Sequence, residues 1–372
     1  MQKKNIILII VVMPLLLLTF FIGRIYPIDN DESLNNLSDI KNTIIVGWDA
    51  AQRNHVYELL DEGKLPNLKE FVASGSIVDM TITTGATSTK PGWAEVFTGY
   101  SPKIMGVSHN FYYKPIPKGY TIFERLEDYF GKENIVTAFI SGKRHGIGAR
   151  GPHEICLNCI PSHRNYVRDI SEKDVEVSKE NTSMDWWEMN GTKIHMPGVE
   201  PIFAKRDGEP YYYTKDAIDI YATDLGGANN VTAEAMGFLN TYKDKRLFAF
   251  FHFGDADTAG HEYGEYSNEY SNAIIMYDQW LGSIISKLKE LKIWDKTLLY
   301  VTADHGFDEG GKTHENAPDF FLATNNKQIT KNGDRKDITP TILWSYGFDL
   351  GSILPPLDGS VLVDKKLMEL NL

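Results

Sequence analysis

The chain has 372 residues, 42% of them hydrophobic, with 31 glycines and 16 prolines. That is enough for a large core, in one big domain or one domain with an insertion. A formal charge of −12, interspersed along the chain, argues against a nucleic-acid polymer as the main partner and against a disordered acidic tail.

The first 24 residues differ in kind. Lys3 and Lys4 precede 18 uncharged residues, Ile6 to Gly23, and Arg24 closes the run. Eighteen apolar residues sit at the lower edge of what spans a bilayer. The flanking charges favour Lys3 and Lys4 inside, with Asp29, Asp31 and Glu32 on the far side. No small-residue cleavage site follows, so residues 1–24 read as a signal-anchor in preference to a signal peptide. On either reading the remainder is exported, anchored in the membrane facing outside or secreted. Residues 25–41 are polar and read as a linker, leaving 42–372 as the catalytic domain.

KNTIIVGWDA is a short β-branched run ending in Asp49, a first buried strand. Val56, Leu59 and Leu60 have helical spacing, Gly63 makes a turn, and a second helix centres on Leu68 and Phe71. SIVDMTITT is a strand. Pro91 to Gly99 is a helix with proline in its first turn, where a missing N–H costs nothing. GYTIFERLEDYF, NVTAEAMGFLNTYK and NAIIMYDQWLGSIISKLKEL are further helices; NIVTAFIS, RLFAFFHF and TLLYVTA are strands. The alternation predicts an α/β fold, a three-layer α/β/α sandwich with a largely parallel central sheet.

Residues from about 146 to 215 break that rhythm and read as an insertion that caps or flanks the site, or as a surface excursion. They hold both cysteines, Cys156 and Cys159, in HEICLNCIPSH. A short-loop disulfide or free thiols come first for this pair; with His153 and His163 it also makes four possible zinc ligands.

The strand ends carry the chemistry. IIVGW ends in Asp49, LFAFFHFG is followed by Asp255, Asp257 and His261, and LLYVTA by Asp304 and His305, with His314 in GGKTHE. A lone aspartate at such a place is most often a cap or turn residue. Three strand ends delivering ligands to one sheet edge, where ligands of α/β sheets gather, point to a metal centre. Mixed carboxylate and imidazole donors suit zinc or another divalent transition metal better than calcium, and six of them suffice for two ions. Beside them, hydroxyls crowd residues 83–110 at a helix start, where free N–H groups and the dipole favour an anion. Plain N-capping by serine or threonine is the competing reading of that stretch.

By the order of its motifs over residues 42–365 the chain resembles the alkaline phosphatase superfamily, in its type I phosphodiesterase/nucleotide pyrophosphatase and sulfatase branches. The resemblance implies Asp49 as the first metal aspartate and Thr89, in TKPGWAEVFTG, as a metal-bound nucleophile. It implies Asp257 and His261 as the D-x-x-x-H ligands, Asp304 and His305 as the D-H-G pair, and His314 as the late histidine. Asp255 is left as a structural neighbour. Asn110 stands where an asparagine contacts the transferred group. One zinc would be held by Asp49, Asp304 and His305, the other by Asp257, His261 and His314. GKRHGIG is similar to a sulfatase segment in which Lys143 and His145 would touch sulfate; the alternative for Lys143 is a solvated lysine. Sulfatases need a cysteine or serine for formylglycine and tend to place paired aspartates at a calcium site. This chain has Thr89, Trp93 and Asp49 followed by Ala50. The expectation is therefore a two-zinc phosphodiesterase or phosphatase acting on a small phosphate ester or phospho-headgroup. A sulfatase, a phosphonate hydrolase, a membrane-anchored headgroup transferase and a silent binding protein are the alternatives.

Overall fold

The structure, a computed structural model, describes residues 39–143, 147–156, 167–169, 186–189, 192–195 and 203–364. Residues 1–24 and most of the 25–41 linker lie outside the described residues, as do His145, Cys159, His163 and the side chain of Cys156. Among the described residues no helix is long and apolar enough to cross a membrane.

Strand β1 (Asn42–Trp48) is followed by α1 (Arg53–Asp61), α2 (Pro66–Ser74) and β2 (Ser76–Thr81). Helices α3 (Thr89–Thr98), α4 (Pro102–Met105) and α5 (Ile122–Phe130) lead to β3 (Ile135–Ser141). Five short strands follow: β4 (His153–Cys156), β5 (Val167–Asp169), β6 (Trp186–Met189), β7 (Thr192–His195) and β8 (Phe203–Arg206). The chain then returns through β9 (Ile220–Ala222), α6 (Ala228–Tyr242), β10 (Arg246–Phe253), α7 (Asp255–Tyr263) and α8 (Asn268–Glu290). It closes with β11 (Thr297–Thr302), β12 (Asp319–Thr324) and α9 (Ile338–Ser345).

The main sheet has seven strands in the order β2-β12-β11-β1-β10-β3-β9. The five from β11 to β9 pair in parallel, and β12 runs antiparallel to both β11 and β2. This is the expected α/β architecture with a largely parallel sheet. Strands covered on both faces read as unbroken apolar runs, which is why β1, β10 and β11 stand out in the sequence; β1 and β11 are buried throughout. Neighbouring residues of β1 show the two covering layers, since successive side chains point to opposite faces. Trp48 packs on Tyr277 of α8. Gly47, on the other face, leaves the space that Trp93 of α3 fills; a Cβ there would lie 2.6 Å from the indole. On the first face α8 packs with α2, α6 and α7, and on the second α3 packs with α5 and α9. Between β3 and β9, strands β4, β5 and β8 form a three-stranded sheet and β6 pairs with β7, all outside the main sheet.

Two local differences from the sequence reading bear on function. Helix α3 begins at Thr89, not Pro91, so Thr89 is its first residue. The polar stretch after β10 is the helix α7, which turns Asp257 and His261, four residues apart, onto one face. Strand β12 and helix α9 had no counterpart in the sequence reading.

Candidate metal centre

Each of β1, β10 and β11 ends at the same edge of the sheet, and each hands over a ligand residue there. Asp49 follows β1, Asp257 lies in the first turn of α7 just past β10, and Asp304 and His305 follow β11. Asp49, Asp304 and His305 are fully buried. Two groups of ligand atoms come within 4.8 Å of one another: Asp257 with His261 and His314, and Asp49 with Asp257 and His305. Asp304 joins the second through Oδ2, 3.4 Å from His305 Nε2. All six metal-ligand side chains expected from the strand ends therefore converge, with Asp257 common to both groups.

The backbone around them is arranged to aim these atoms. Ala50 adopts a left-handed conformation with φ 61, unusual for a residue with a Cβ. That turn directs its N–H at Asp304 Oδ1, 3.2 Å away. The three histidines share one device. Nδ1–H of His305 donates to Gly306 O at 2.8 Å, that of His261 to Lys312 O at 2.9 Å and that of His314 to Thr87 O at 2.5 Å. Each ring then offers Nε2 as a lone pair, the arrangement a metal-binding imidazole needs.

His252, the one polar side chain in the second half of β10, was missed by the sequence reading. It is fully buried, its Nε2 2.8 Å from Asp49 Oδ2 and its Nδ1 2.9 Å from Ser141 Oγ. An imidazole breaking an apolar run was the available signal. Arg335 was missed as well. Its buried guanidinium pairs with Glu95 of α3 at 3.0 Å and donates to the carbonyls of Thr84, Ala86 and Asp304. It thus fixes the segment before Thr89 against a metal ligand. Its surroundings, KNGDRKD, read as an ordinary polar loop.

Lys143 is not a solvated lysine. Its Nζ lies 2.8 Å from Asp49 Oδ2 and 2.6 Å from Asp257 Oδ2. Burial disfavours the ammonium, but the carboxylates of Asp257, Asp49 and Asp304 outweigh it and raise its pKa. Burial likewise favours a proton on Asp257 and Asp49, yet Lys143 holds both below the ordinary carboxylate value, Asp257 well below. Asp304 goes the other way, pushed well up by burial and by the charge of Asp49. Burial lowers His305, and burial with neighbouring His305 takes His314 down to about 4, so both rings are neutral near pH 7. His261 is raised by the carboxylate of Asp257, whose Oδ1 lies 3.4 Å from its Nε2.

The donor set fits metal ions on a specific observation. Asp49 Oδ1, Asp257 Oδ1, Asp304 Oδ2 and His305 Nε2 are all buried without a hydrogen-bond partner. A buried polar atom left unpaired costs about 1–3 kcal/mol, so four at one spot require a common partner. Two carboxylates that Lys143 keeps ionised, a third whose charge is disfavoured without a further cation, and an imidazole lone pair fit cations.

Thr89 is 4% exposed and is bracketed by contacts to this centre. Thr87, two residues before it, accepts the hydrogen bond from His314. Gly92, one helical turn after it, lies so close to Asp304 that a Cβ would sit 2.6 Å from the aspartate's own. The hydroxyls at this helix start do not serve as its cap. Ser88 occupies the N-cap position but makes no capping bond. Asn110 Oδ1 instead accepts from the Lys90 N–H at 2.8 Å. That bond fixes the amide and leaves Nδ2 as its donor end.

Asp255, two residues from Asp257, accepts from Ala228 N at 3.1 Å and so caps α6. It takes no part in either ligand group.

The chain is 21% identical over 333 residues to the bis(5'-adenosyl)-triphosphatase enpp4 of Mus musculus, covering 88% of this chain and 57% of the relative. It is 34% identical over 77 residues to GPI ethanolamine phosphate transferase 1 of Chaetomium globosum, covering 21% of this chain and 8% of that protein. The chain thus spans little more than half the length of the one and a small part of the other. Among solved structures it shares its fold with a protein determined in complex with its substrate D-glucosamine-2-N,6-O-disulfate, with a TM-score of 0.51, 12% identity and coverage of 87% and 79%. The sequence profile of type I phosphodiesterase / nucleotide pyrophosphatase matches residues 43–347. On that match across most of its length, the chain belongs to the type I phosphodiesterase/nucleotide pyrophosphatase family.

Proposed function

We propose that this chain is a metal-dependent phosphoester hydrolase, a phosphodiesterase or phosphatase, with Thr89 as its nucleophile. The observation that carries the reading is the set of four partnerless buried ligand atoms beside the first turn of α3. Asp49, Asp304 and His305 would hold one divalent ion and Asp257, His261 and His314 a second, zinc by their mixed donors. Bound there, such ions supply Lewis-acid charge that acidifies a hydroxyl and neutralises phosphate oxygens.

Within that centre Thr89 Oγ1 attacks phosphorus in line with the leaving alcohol. The bond from phosphorus to the leaving oxygen breaks and a phosphothreonine forms; water then displaces Thr89 from phosphorus. The Nδ2 of Asn110, oriented by the Lys90 N–H bond, donates to the transferred oxygens where charge collects. Lys143 adds a positive charge to the same centre, and its hydrogen bonds hold Asp49 and Asp257 in place.

Phosphate esters are the substrate class this chemistry favours over sulfate esters. A formylglycine hydrate expels sulfate by re-forming its carbonyl, whereas a threonine ester needs attack by water at the bound group. Comparing kcat/KM for matched aryl phosphodiester, phosphomonoester and sulfate substrates tests the assignment. Preference for a phosphate ester is expected, and preference for the sulfate refutes it.

The short similarity to an ethanolamine phosphate transferase supports a second reading. There the phosphothreonine is resolved by an alcohol in place of water, and product analysis with an added alcohol acceptor separates the two. With the apolar segment 6–23 as anchor, we place the catalytic domain outside the membrane; accessibility to protease in intact cells tests that placement.

A further inference from the structure

We infer that Lys143 is a built-in third cation of this centre and ranks its two ion sites, making the Asp49/Asp304/His305 site tight and the Asp257/His261/His314 site weak. The inference rests on the two-ion reading above.

Lys143 is fixed in this place by more than its charge. Its stem lies on Gly254, where a Cβ would come within 2.8 Å of the lysine Cγ. Its backbone N–H donates to Ser141 Oγ at 3.1 Å, and Ser141 Oγ meets His252 Nδ1. His252 Nε2 and Lys143 Nζ then converge on the same atom, Asp49 Oδ2. A closed ring of contacts thus sets the ammonium between a carboxylate of each site. It takes Oδ2 of Asp49 and Oδ2 of Asp257 and leaves the Oδ1 atoms, which have no partner. Each of these aspartates is thereby restricted to one free oxygen.

The charge count follows. Asp49, Asp257 and Asp304, ionised as ligands, bring three negative charges, and Lys143 cancels one of them. What remains matches a single divalent ion. The site with two carboxylates, Asp49 and Asp304, keeps a net negative charge after Lys143 is counted. The site with only Asp257 keeps the smaller share of the remaining charge, because its one carboxylate is bonded to the shared ammonium at 2.6 Å. The first ion therefore goes to the buried site. The second must bind beside both that ion and Lys143, and like charges a few ångström apart repel strongly in a buried setting.

The test is calorimetric titration of the metal-free protein with zinc, read as two dissociation constants. For the unaltered chain we expect them to differ by at least about tenfold, or 1.4 kcal/mol. Lys143→Met removes the charge and keeps an apolar stem on Gly254, and should tighten the weaker site by at least about tenfold with a smaller change at the stronger. Lys143→Arg keeps the charge and should keep the gap. Lys143→Gln gives a second neutral variant, and thermal melts of the metal-free proteins identify any variant that fails to fold. Two equally tight sites in the unaltered chain overturn the inference, as does a gap that neutralising Lys143 leaves unchanged. A chain that ranks zinc in this way but hydrolyses no phosphate ester would sink the hydrolase reading alone, and an active enzyme with equal sites would sink only this one.

Discussion

Asp49, Asp304 and His305 hang from the ends of β1 and β11 with no exposure at all, whereas His261, from α7, has 45% of its side chain exposed. His314 stands between these extremes, at 15%. The buried group is positioned by the sheet and by a backbone turn at Ala50, so its geometry comes with the fold. The open group is held by a helix and a loop clasped together through His261 and Lys312. On the proposed two-ion reading, an ion in the first place would relieve buried polar atoms, and one in the second would sit nearer solvent and exchange. The difference suggests a division of labour, with one position that completes the fold and one that faces the substrate.

The sharpest way to break that comparison is to remove one histidine from each group. His305→Ala leaves Asp49 Oδ1 and Asp304 Oδ2 buried around a cavity, so we expect loss of the tight ion and a destabilisation of about 2–4 kcal/mol in denaturant melts. His261→Ala should leave melting of the one-ion protein within about 1 kcal/mol of the unaltered chain and abolish only the second ion, counted by elemental analysis after dialysis. Equal destabilisation by the two changes would mean the groups do not differ as described.

Acid should separate His261 from His305 and His314 in the metal-free protein. The folded-state pKa of His314 is about 4 against an ordinary value of 6.5, and burial lowers His305 in the same direction. Between pH 6.5 and about 4 the unfolded chain binds a proton at His314 that the folded chain refuses, so stability falls as pH falls through that window. His261, raised by Asp257, has the opposite sign: the stability it adds is present below the ordinary histidine value and fades as pH rises through its folded value. Urea melts at pH 4.5 and 7 should show a smaller acid loss for His314→Gln than for the unaltered chain. An equal loss in both would contradict the assigned direction.

The smallest effect contrasts Asp255 and Asp257, two residues apart in α7. Asp255→Ala removes the bond to Ala228 N at the start of α6 and should cost about 1 kcal/mol with metal content unchanged. Asp257→Ala should lose metal. Metal loss in the Asp255 variant would show that capping and ligation are coupled.

Much of this architecture was legible because parallel strands covered on both faces leave long apolar runs, and the charged residues closing those runs are conspicuous. Asp49, Asp304 and His305 could be read that way. The pairing of Asp257 with His261 rests instead on the D-x-x-x-H resemblance; Gly254, Gly260 and Gly264 disguise their helix, whose short apolar face is carried by Ala256 and Gly260. The support around the ligands was hidden. His252 sits inside an apolar strand, and nothing local shows that its ring reaches Asp49, 203 residues away in sequence. Arg335 occupies a stretch that looks like surface, and its partner Glu95 is 240 residues distant. Lys143 could be read as a cation near the site, but only the fold shows that two carboxylates, one after β1 and one in α7, receive it.

The most direct test of the account is to look for the covalent intermediate itself. An aryl phosphodiester mixed with excess enzyme, quenched in acid within one turnover and digested, should yield the peptide spanning Thr89 with the substrate's phosphoryl group attached. Thr89→Ala should yield no such adduct and lose at least about a hundredfold in kcat, or 2.7 kcal/mol of barrier, while keeping both ions. Turnover by Thr89→Ala at more than about a tenth of the unaltered rate, with no adduct on the unaltered enzyme at any quench time, would contradict it.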